Sequence, residues 1–250
     1  MKLLSLSHQL PGGPLSRDTE LLTASGWKRI DEIGVGEIVM TRADDGLLEW
    51  ADVSATHRVF ADRLYHFQNQ SIDMLTTANH QMVVKRRRRS SGSVFRTTAE
   101  KLWRMSECLV PLTGEWATKS QKTLFGLDAL DVAEFVGWYL AEGSYKHRNG
   151  VKTTIQIAQC DQHNAANCRR LETLFDRLGL SWKYYGGSYG VGIRKMPADL
   201  KKLVHSQPTS AGKFVPPLFM QQGRDVIERL LSGLFLGDGH LTPAKGRRQE

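Results

Sequence analysis

The chain has 250 residues, 40% apolar and 24% charged, enough to close one large or two modest hydrophobic cores, and disorder is excluded as its main character. Lys and Arg outnumber Asp and Glu by 34 to 26, a net charge of +8, which biases the partners toward phosphate-rich polymers or an anionic surface. No apolar run reaches a membrane span, the opening Met1-Lys2-Leu3-Leu4 is too short for a signal peptide, and Cys108, Cys160 and Cys168 fit neither a disulfide framework nor a CxxC zinc site. A reducing, cytoplasmic setting with no membrane partner is therefore expected.

Residues 1–13 read as an N-terminal extension. Residues 14–105 are placed as one β domain, in which from Thr19 to about Val84 short alternating runs are broken by turns, as in Glu20-Leu21-Leu22-Thr23 before Ser25-Gly26 and Glu37-Ile38-Val39-Met40 before Asp44-Asp45-Gly46, and this predicts an all-β module. Residues 85–107 carry eight Lys or Arg against two Glu, led by Lys85-Arg86-Arg87-Arg88-Arg89, and read as a loop. A linker is placed at 106–123. An α/β domain follows over 124–250, giving an α+β chain overall.

In that second half, residues 152–159 alternate, with Thr153, Ile155 and Ile157 on one face and Lys152, Thr154 and Gln156 on the other, so one face can be core and the other can bind. Asp161 is expected to cap a helix with Cys168, Leu171, Phe175 and Leu178 on its apolar side and Gly179 at its end. Residues 182–185, a Gly186-Gly187 turn and residues 189–195 predict a β-hairpin, with Lys183, Tyr185 and Arg194 on its polar face.

Two segments are near copies: Phe135-Val136-Gly137-Trp138-Tyr139-Leu140-Ala141-Glu142-Gly143 and Leu231-Ser232-Gly233-Leu234-Phe235-Leu236-Gly237-Asp238-Gly239. Each reads as an apolar helix that ends in one carboxylate followed by Gly. Gly137 and Ala141, like Gly233 and Gly237, are four residues apart, so each helix carries a strip of small residues that lets two backbones approach closely. If the helices pack in the same direction, Glu142 and Asp238 meet at two negative dipole ends, which is poor for stability and good for holding a divalent cation. Oxygen ligands with room for water suit Mg²⁺, with Mn²⁺ as a substitute. A cation held between carboxylates and a phosphodiester activates water and stabilises the leaving oxygen.

The pair resembles the two motifs of the LAGLIDADG (DOD-type) homing endonucleases, and this implies that Glu142 and Asp238 are metal ligands of a metal-dependent DNA endonuclease. Lys213-Phe214-Val215-Pro216 is similar to the Lys-x-Ile-Pro element of intein-borne members, which implies an active-site role for Lys213. A lysine there would polarise the attacking water or neutralise the scissile phosphate. Double-stranded DNA is the implied partner, on a face carrying Lys152, Thr154, Gln156, Lys183, Tyr185 and Arg194.

The first half resembles a Hint (intein splicing) module. Leu15-Ser16-Arg17-Asp18-Thr19-Glu20-Leu21-Leu22-Thr23 is similar to the N-terminal block, Gly26-Trp27-Lys28-Arg29-Ile30 follows as in that family, and Thr77-Ala78-Asn79-His80 matches its Thr-x-x-His element. In splicing inteins that His helps to break the first peptide bond. The nucleophile should stand four residues before Asp18, where this chain has Pro14, so an acyl shift cannot begin there. The terminal His-Asn is missing as well, and splicing by this chain alone is not expected. Residues 240–250 are not expected to supply a second set of DNA-facing strands, which leaves a complementary half on another chain, a decaying or clipped remnant, or an assembly of two copies. Two alternatives stand beside the endonuclease: a DNA-binding remnant that does not cleave, and one part of a split intein that needs a partner. His8, His57, His66 and His240 read as structural or surface residues.

Overall fold

The structure is a computed structural model that describes residues 2–7, 14–43, 45–86, 94–105, 107–148, 151–206 and 212–239, with the backbone alone for 2–7, 147, 148, 151 and 152. The basic residues 87–89, His8, His240 and the Lys152 side chain lie outside the described part. The architecture is mixed α and β, with several small sheets that do not close into a barrel. It divides into two compact units, residues 1–117 and 118–250.

Unit 1 is built from β1 (Lys2–Ser7), β2 (Leu15–Ser16), β3 (Glu20–Thr23), β4 (Gly26–Arg29), β5 (Ile38–Arg42), β6 (Leu47–Asp52), β7 (Ala55–Phe60), β8 (Tyr65–Gln68), β9 (Asp73–Thr76), β10 (Gln81–Arg86), β11 (Phe95–Thr98), the short helix α1 (Ala99–Trp103), β12 (Cys108–Leu109) and β13 (Glu115–Trp116). One sheet runs β7-β1-β2-β9-β8, a second β13-β6-β5-β3-β4 and a third β11-β10-β12.

Three expectations are corrected in this unit. The N-terminal extension is part of the fold, because β1 pairs along its length with β7 and also with β2. The charged stretch from 85 is not simply a loop: β10 and β11 pair, and the Thr98 hydroxyl accepts the Lys101 amide at 3.3 Å to start α1, so the unit is not all-β. The supposed linker is also ordered. Cys108 pairs with Arg86 in register, Glu115 pairs in parallel with Leu47, and Trp116 meets Trp50 edge to face at 6.1 Å.

Unit 2 begins with the hairpin of β14 (Thr123–Leu124) and β15 (Leu127–Asp128). Asp128 then caps α2 (Ala129–Glu142), its carboxylate accepting the amides of Leu130 and Asp131 at 2.9 and 3.1 Å. Next come β16 (Gly143–Arg148), β17 (Val151–Ala158), α3 (Asp161–Arg177), β18 (Trp182–Tyr184), β19 (Ser188–Gly192), α4 (Ala198–His205), α5 (Pro217–Met220) and α6 (Arg224–Asp238). The sheet order is β16-β17-β19-β18, antiparallel throughout. Ile155, Ile157, Tyr189 and Val191 on one face of it are buried against Phe135, Tyr139, Leu171 and Phe175. Asp161 is the first residue of α3 and not its cap: Cys160 holds the cap position with no side-chain bond, and the Asp161 carboxylate accepts the Tyr184 hydroxyl at 2.8 Å. The second strand of the hairpin ends at Gly192, three residues earlier than expected.

Helices α2 and α6 meet reciprocally. A methyl group on Gly137 would lie 2.1 Å from the Leu230 carbonyl oxygen and 2.8 Å from the Leu234 nitrogen, and one on Gly233 would lie 2.5 Å from the Glu134 carbonyl oxygen and 3.1 Å from the Trp138 nitrogen. Gly137 and Gly233, Glu134 and Leu230, and Trp138 and Leu234 are each 96 positions apart, so equivalent atoms face one another, and the helices run parallel about a local two-fold axis. Beside this contact, Glu134 is fully buried and its carboxylate binds Arg170 of α3 and Arg229 of α6, the latter at 3.0 Å. Burial pushes its pKa up, but the two guanidinium groups outweigh burial and hold it below the ordinary 4.5.

Since the obstacles at Gly137 are backbone atoms, Gly137→Ala should destabilise unit 2 by about 1–3 kcal/mol in urea unfolding. Gly34→Ala, where a methyl meets nothing within 4 Å, should stay within about 0.5 kcal/mol. Glu134 contributes stability that is fully present above its unfolded value of 4.5 and is lost as pH falls through its lower folded value. Glu134→Gln should therefore be less stable than the parent at pH 7, with the gap closing below about pH 4.5.

Candidate functional site

The parallel packing carries both acidic helix ends to one place. A methyl group on Gly237 would sit 2.4 Å from Ala141 Cβ and 3.1 Å from Glu142 Cγ, so the last turn of α6 lies against the last turn of α2. Glu142 is half-buried and Asp238 exposed. The glycine after each acid has a local reason: both leave the helix with extended dihedrals, and a methyl on Gly143 would meet the Tyr139 carbonyl oxygen at 2.4 Å, as one on Gly239 would meet that of Phe235 at 2.2 Å.

Lys213 completes the group. Its ammonium donates to the Leu140 carbonyl at 3.1 Å and the Gly143 carbonyl at 2.6 Å, and lies 5.2 Å from the centre of the Tyr139 ring. It therefore caps the C-terminus of α2, where carbonyls lack helical partners and cations are favoured. Burial raises the pKa of Glu142, Asp238 raises it further, and Lys213 opposes both. Burial lowers that of Lys213 while the two carboxylates oppose it. The three side chains, drawn from separate stretches of sequence, thus share one electrostatic environment. Among the described residues neither Glu142 nor Asp238 has an ion pair within 4 Å, and no group of three His, Cys, Asp or Glu is placed to hold a metal.

Two residues near this group escaped the sequence reading. Gln159, two positions beyond Ile157, which pairs with Gly143, is buried, and its side-chain oxygen has no hydrogen-bond partner. Asn167 of α3 donates to the Leu236 carbonyl at 3.2 Å. Neither belongs to a motif; a polar residue placed on the core side of a strand or helix was the available signal.

The solvent face of the four-stranded sheet gathers most of the expected binding residues. Lys183 stands opposite Gly190, Gly190 opposite Gln156, and Gly192 opposite Thr154. The ring of exposed Tyr185 folds over Gly190 and has the ammonium groups of Lys146 and Lys183 at 4.9 and 5.6 Å. Arg194 is exposed but lies past the end of β19, so it does not share the hairpin's register. Lys146 was not foreseen.

In unit 1 the expected Hint positions come partly together. The Pro14 carbonyl accepts the Thr76 hydroxyl at 3.0 Å and the Thr77 amide at 3.2 Å, which ties the N-terminal block to the Thr-x-x-His segment. The Thr77 hydroxyl donates to Asn79 at 2.7 Å, and the His80 amide bonds back to Thr77. Thr19 and Ser16 share a hydroxyl hydrogen bond at 3.1 Å, and a hydrogen bond from Ser16 holds Asp18 below the usual carboxylate range. His66 is paired with Asp73 at 2.7 Å.

No family model matches the chain. A stretch of 73 residues, 28% of the chain, is 33% identical to a DNA-directed RNA polymerase subunit beta C-terminal section of Stigeoclonium helveticum, and it spans 7% of that protein. No helix among the described residues is long and apolar enough to cross a membrane.

The electrostatic grouping is measurable without any substrate. Asp238→Asn should lower the Glu142 titration midpoint by removing the like charge, and Lys213→Met should raise it, as followed by carboxyl NMR. A midpoint indifferent to both changes would separate the three groups.

Proposed function

We propose that this chain is a divalent-cation-dependent endonuclease of the homing type acting on duplex DNA, joined to an intein-like module that does not splice. The observation that carries the reading is the reciprocal α2–α6 contact, which delivers Glu142 and Asp238 to one place beside Lys213. Two carboxylates at two negative helix ends, without a salt-bridge partner among the described residues, are hard oxygen donors in need of a counter-charge. That donor set fits Mg²⁺, which binds through one or two carboxylates and leaves positions for phosphate and water. When bound, the cation neutralises the phosphate and makes water more acidic.

The chain's own residues supply the rest. Glu142 and Asp238 anchor the charge, and the close helix contact fixes their separation. Two of the three N–H groups of Lys213 are engaged by Leu140 and Gly143, which leaves one for a phosphate oxygen or the attacking water. In the reaction the water oxygen bonds to phosphorus and the bond from phosphorus to the leaving deoxyribose oxygen breaks. One water proton passes to that oxygen and the other to solvent. The face carrying Lys146, Thr154, Gln156, Lys183 and Tyr185, with exposed Arg194 just past the end of β19, supports DNA binding, since its cations meet phosphates and the exposed Tyr185 ring lies beside two of them.

Such an enzyme also needs a second DNA-facing element. Phe135 and Tyr139 of α2 are buried under the sheet, whereas their equivalents on α6, Leu231 and Phe235, are exposed at 51% and 46%. A complementary chain or a second copy is the partner this surface suits. The partial match to a polymerase subunit supports only a broader association with nucleic acid.

The test is cleavage of a supercoiled plasmid library with randomised inserts by the full chain, with Mg²⁺ or Mn²⁺. Glu142→Gln and Asp238→Asn should each reduce cleavage by about a hundredfold or more while leaving DNA binding intact. Binding without cutting by the parent chain would favour the non-cleaving reading. Replacing Lys152, Lys183 and Arg194 together by Ala should reduce the slope of log affinity against log salt by about 0.9 for each phosphate that is no longer neutralised. Ligated or cleaved reporter from a fusion carrying the chain between two domains would contradict the splice-inactive assignment.

A further inference from the structure

Most of the chain's excess charge comes from one stretch of unit 1. Residues 85–107 carry eight Lys or Arg against two Glu, a net of +6 out of the chain's +8. Part of it is built into β10 and α1. Met82 and Val84 are buried with Ala99 and Leu102 of α1, so Arg86, two positions on in β10, stands on the same face, its guanidinium 5.8 Å from the centre of the Phe95 ring. Arg86 pairs with Cys108, whose thiol meets the Met105 sulfur at 3.4 Å, and this ties it to the C-terminal end of α1. There Trp103 is 57% exposed. Tyr65 and Phe67 of β8 hold its ring edge to face at 5.9 and 5.5 Å. Arg104 follows, paired with Glu100 at 2.8 Å on the surface, a contact that a phosphate replaces at little cost.

An exposed aromatic ring held in place beside cations is a stacking platform with phosphate contacts next to it. A duplex keeps its base faces covered and offers Trp103 nothing to stack on. Helix α1 gives a bilayer no apolar side to enter, because Ala99 and Leu102 face the core. We propose that unit 1 carries a binding surface for single-stranded nucleic acid, on which Trp103 stacks with a base while Arg86 and Arg104 meet the neighbouring phosphates. The surface uses none of the residues proposed to bind duplex DNA in unit 2 and stands without the endonuclease reading.

The test uses the full chain and a fluorescent oligothymidylate of about 15 nucleotides, read by anisotropy, with a duplex of the same length as comparison. Trp103→Ala and Trp103→Leu should each weaken single-strand binding about tenfold, Trp103→Phe should retain most of it, and duplex binding should not move. Arg86→Gln and Arg104→Gln should each reduce the slope of log affinity against log salt by about 0.7. An oligomer of equal length with abasic sites throughout should bind the parent chain about tenfold more weakly, which tests stacking without altering the protein. Equal binding of abasic and intact oligomers, or Trp103→Leu binding like the parent, overturns the inference. So does a loss that is the same for duplex and single strand, or capture by phosphatidylserine vesicles that Trp103→Ala abolishes while the oligomer goes unbound.

Discussion

Gly137 and Gly233 touch across two parallel helices at a distance that any side chain would forbid, and unit 2 is organised around that contact. The atoms opposite each glycine are main-chain carbonyls and amides, which cannot rotate aside as side chains can. Close approach does more than bury apolar surface. It brings the last turns of α2 and α6 together, and Gly237 against Ala141 continues the same strip to the helix ends. The separation of the two carboxylates is therefore set by backbone packing several residues away.

That geometry has an electrostatic cost, and the protein offsets it unevenly. At the ends, Glu142 and Asp238 repel one another and both face helix carbonyls, with Lys213 as the local counter-charge. Deeper in, Glu134 is held by Arg170 and Arg229, so the two motif helices and α3 are joined by one satisfied carboxylate. The contrast separates an acid that serves the fold from the one proposed to hold a cation. Glu134 has its full set of cationic partners and its pKa falls, while Glu142 is short of partners and its pKa rises. An acid left in that condition at a helix end is suited to a ligand that brings positive charge.

The sheet shows how little of the proposed binding face resides in one segment. Gln156, Gly190 and Lys183 lie abreast only because three strands pair in one register. Gly190 carries no side chain of its own, and its effect is to let the Tyr185 ring pack over the strand within reach of Lys146 and Lys183. Lys146 could not be assigned to this face from its own neighbourhood, whereas Thr154 and Gln156 could, because strict alternation places them opposite Ile155 and Ile157.

Local periodicity and local copies were legible in the chain itself. The repeated apolar-small-apolar-acid-Gly pattern announced two helices able to pack closely, the alternation around Ile155 announced a two-faced strand, and Gly186-Gly187 announced a tight turn, in which both residues have left-handed φ of +71° and +145°. Signals that depend on a distant partner were not legible. Cys108–Leu109 and Glu115–Trp116 read as linker because two-residue strands have no periodicity, and only pairing with β10 and β6 makes them strands. Asp161 read as a cap because a cap and a first-turn acid look alike until the Tyr184 hydroxyl takes the carboxylate. The sequence alone determined which residues stand at the helix ends. Tertiary structure decided that the helices run parallel, that Lys213 and Asn167 reach the Leu140 and Leu236 carbonyls, and that Glu134 is neutralised while Glu142 is not. These are relations between charges and backbones far apart in the chain, and Coulomb energy and steric exclusion depend on distance in space.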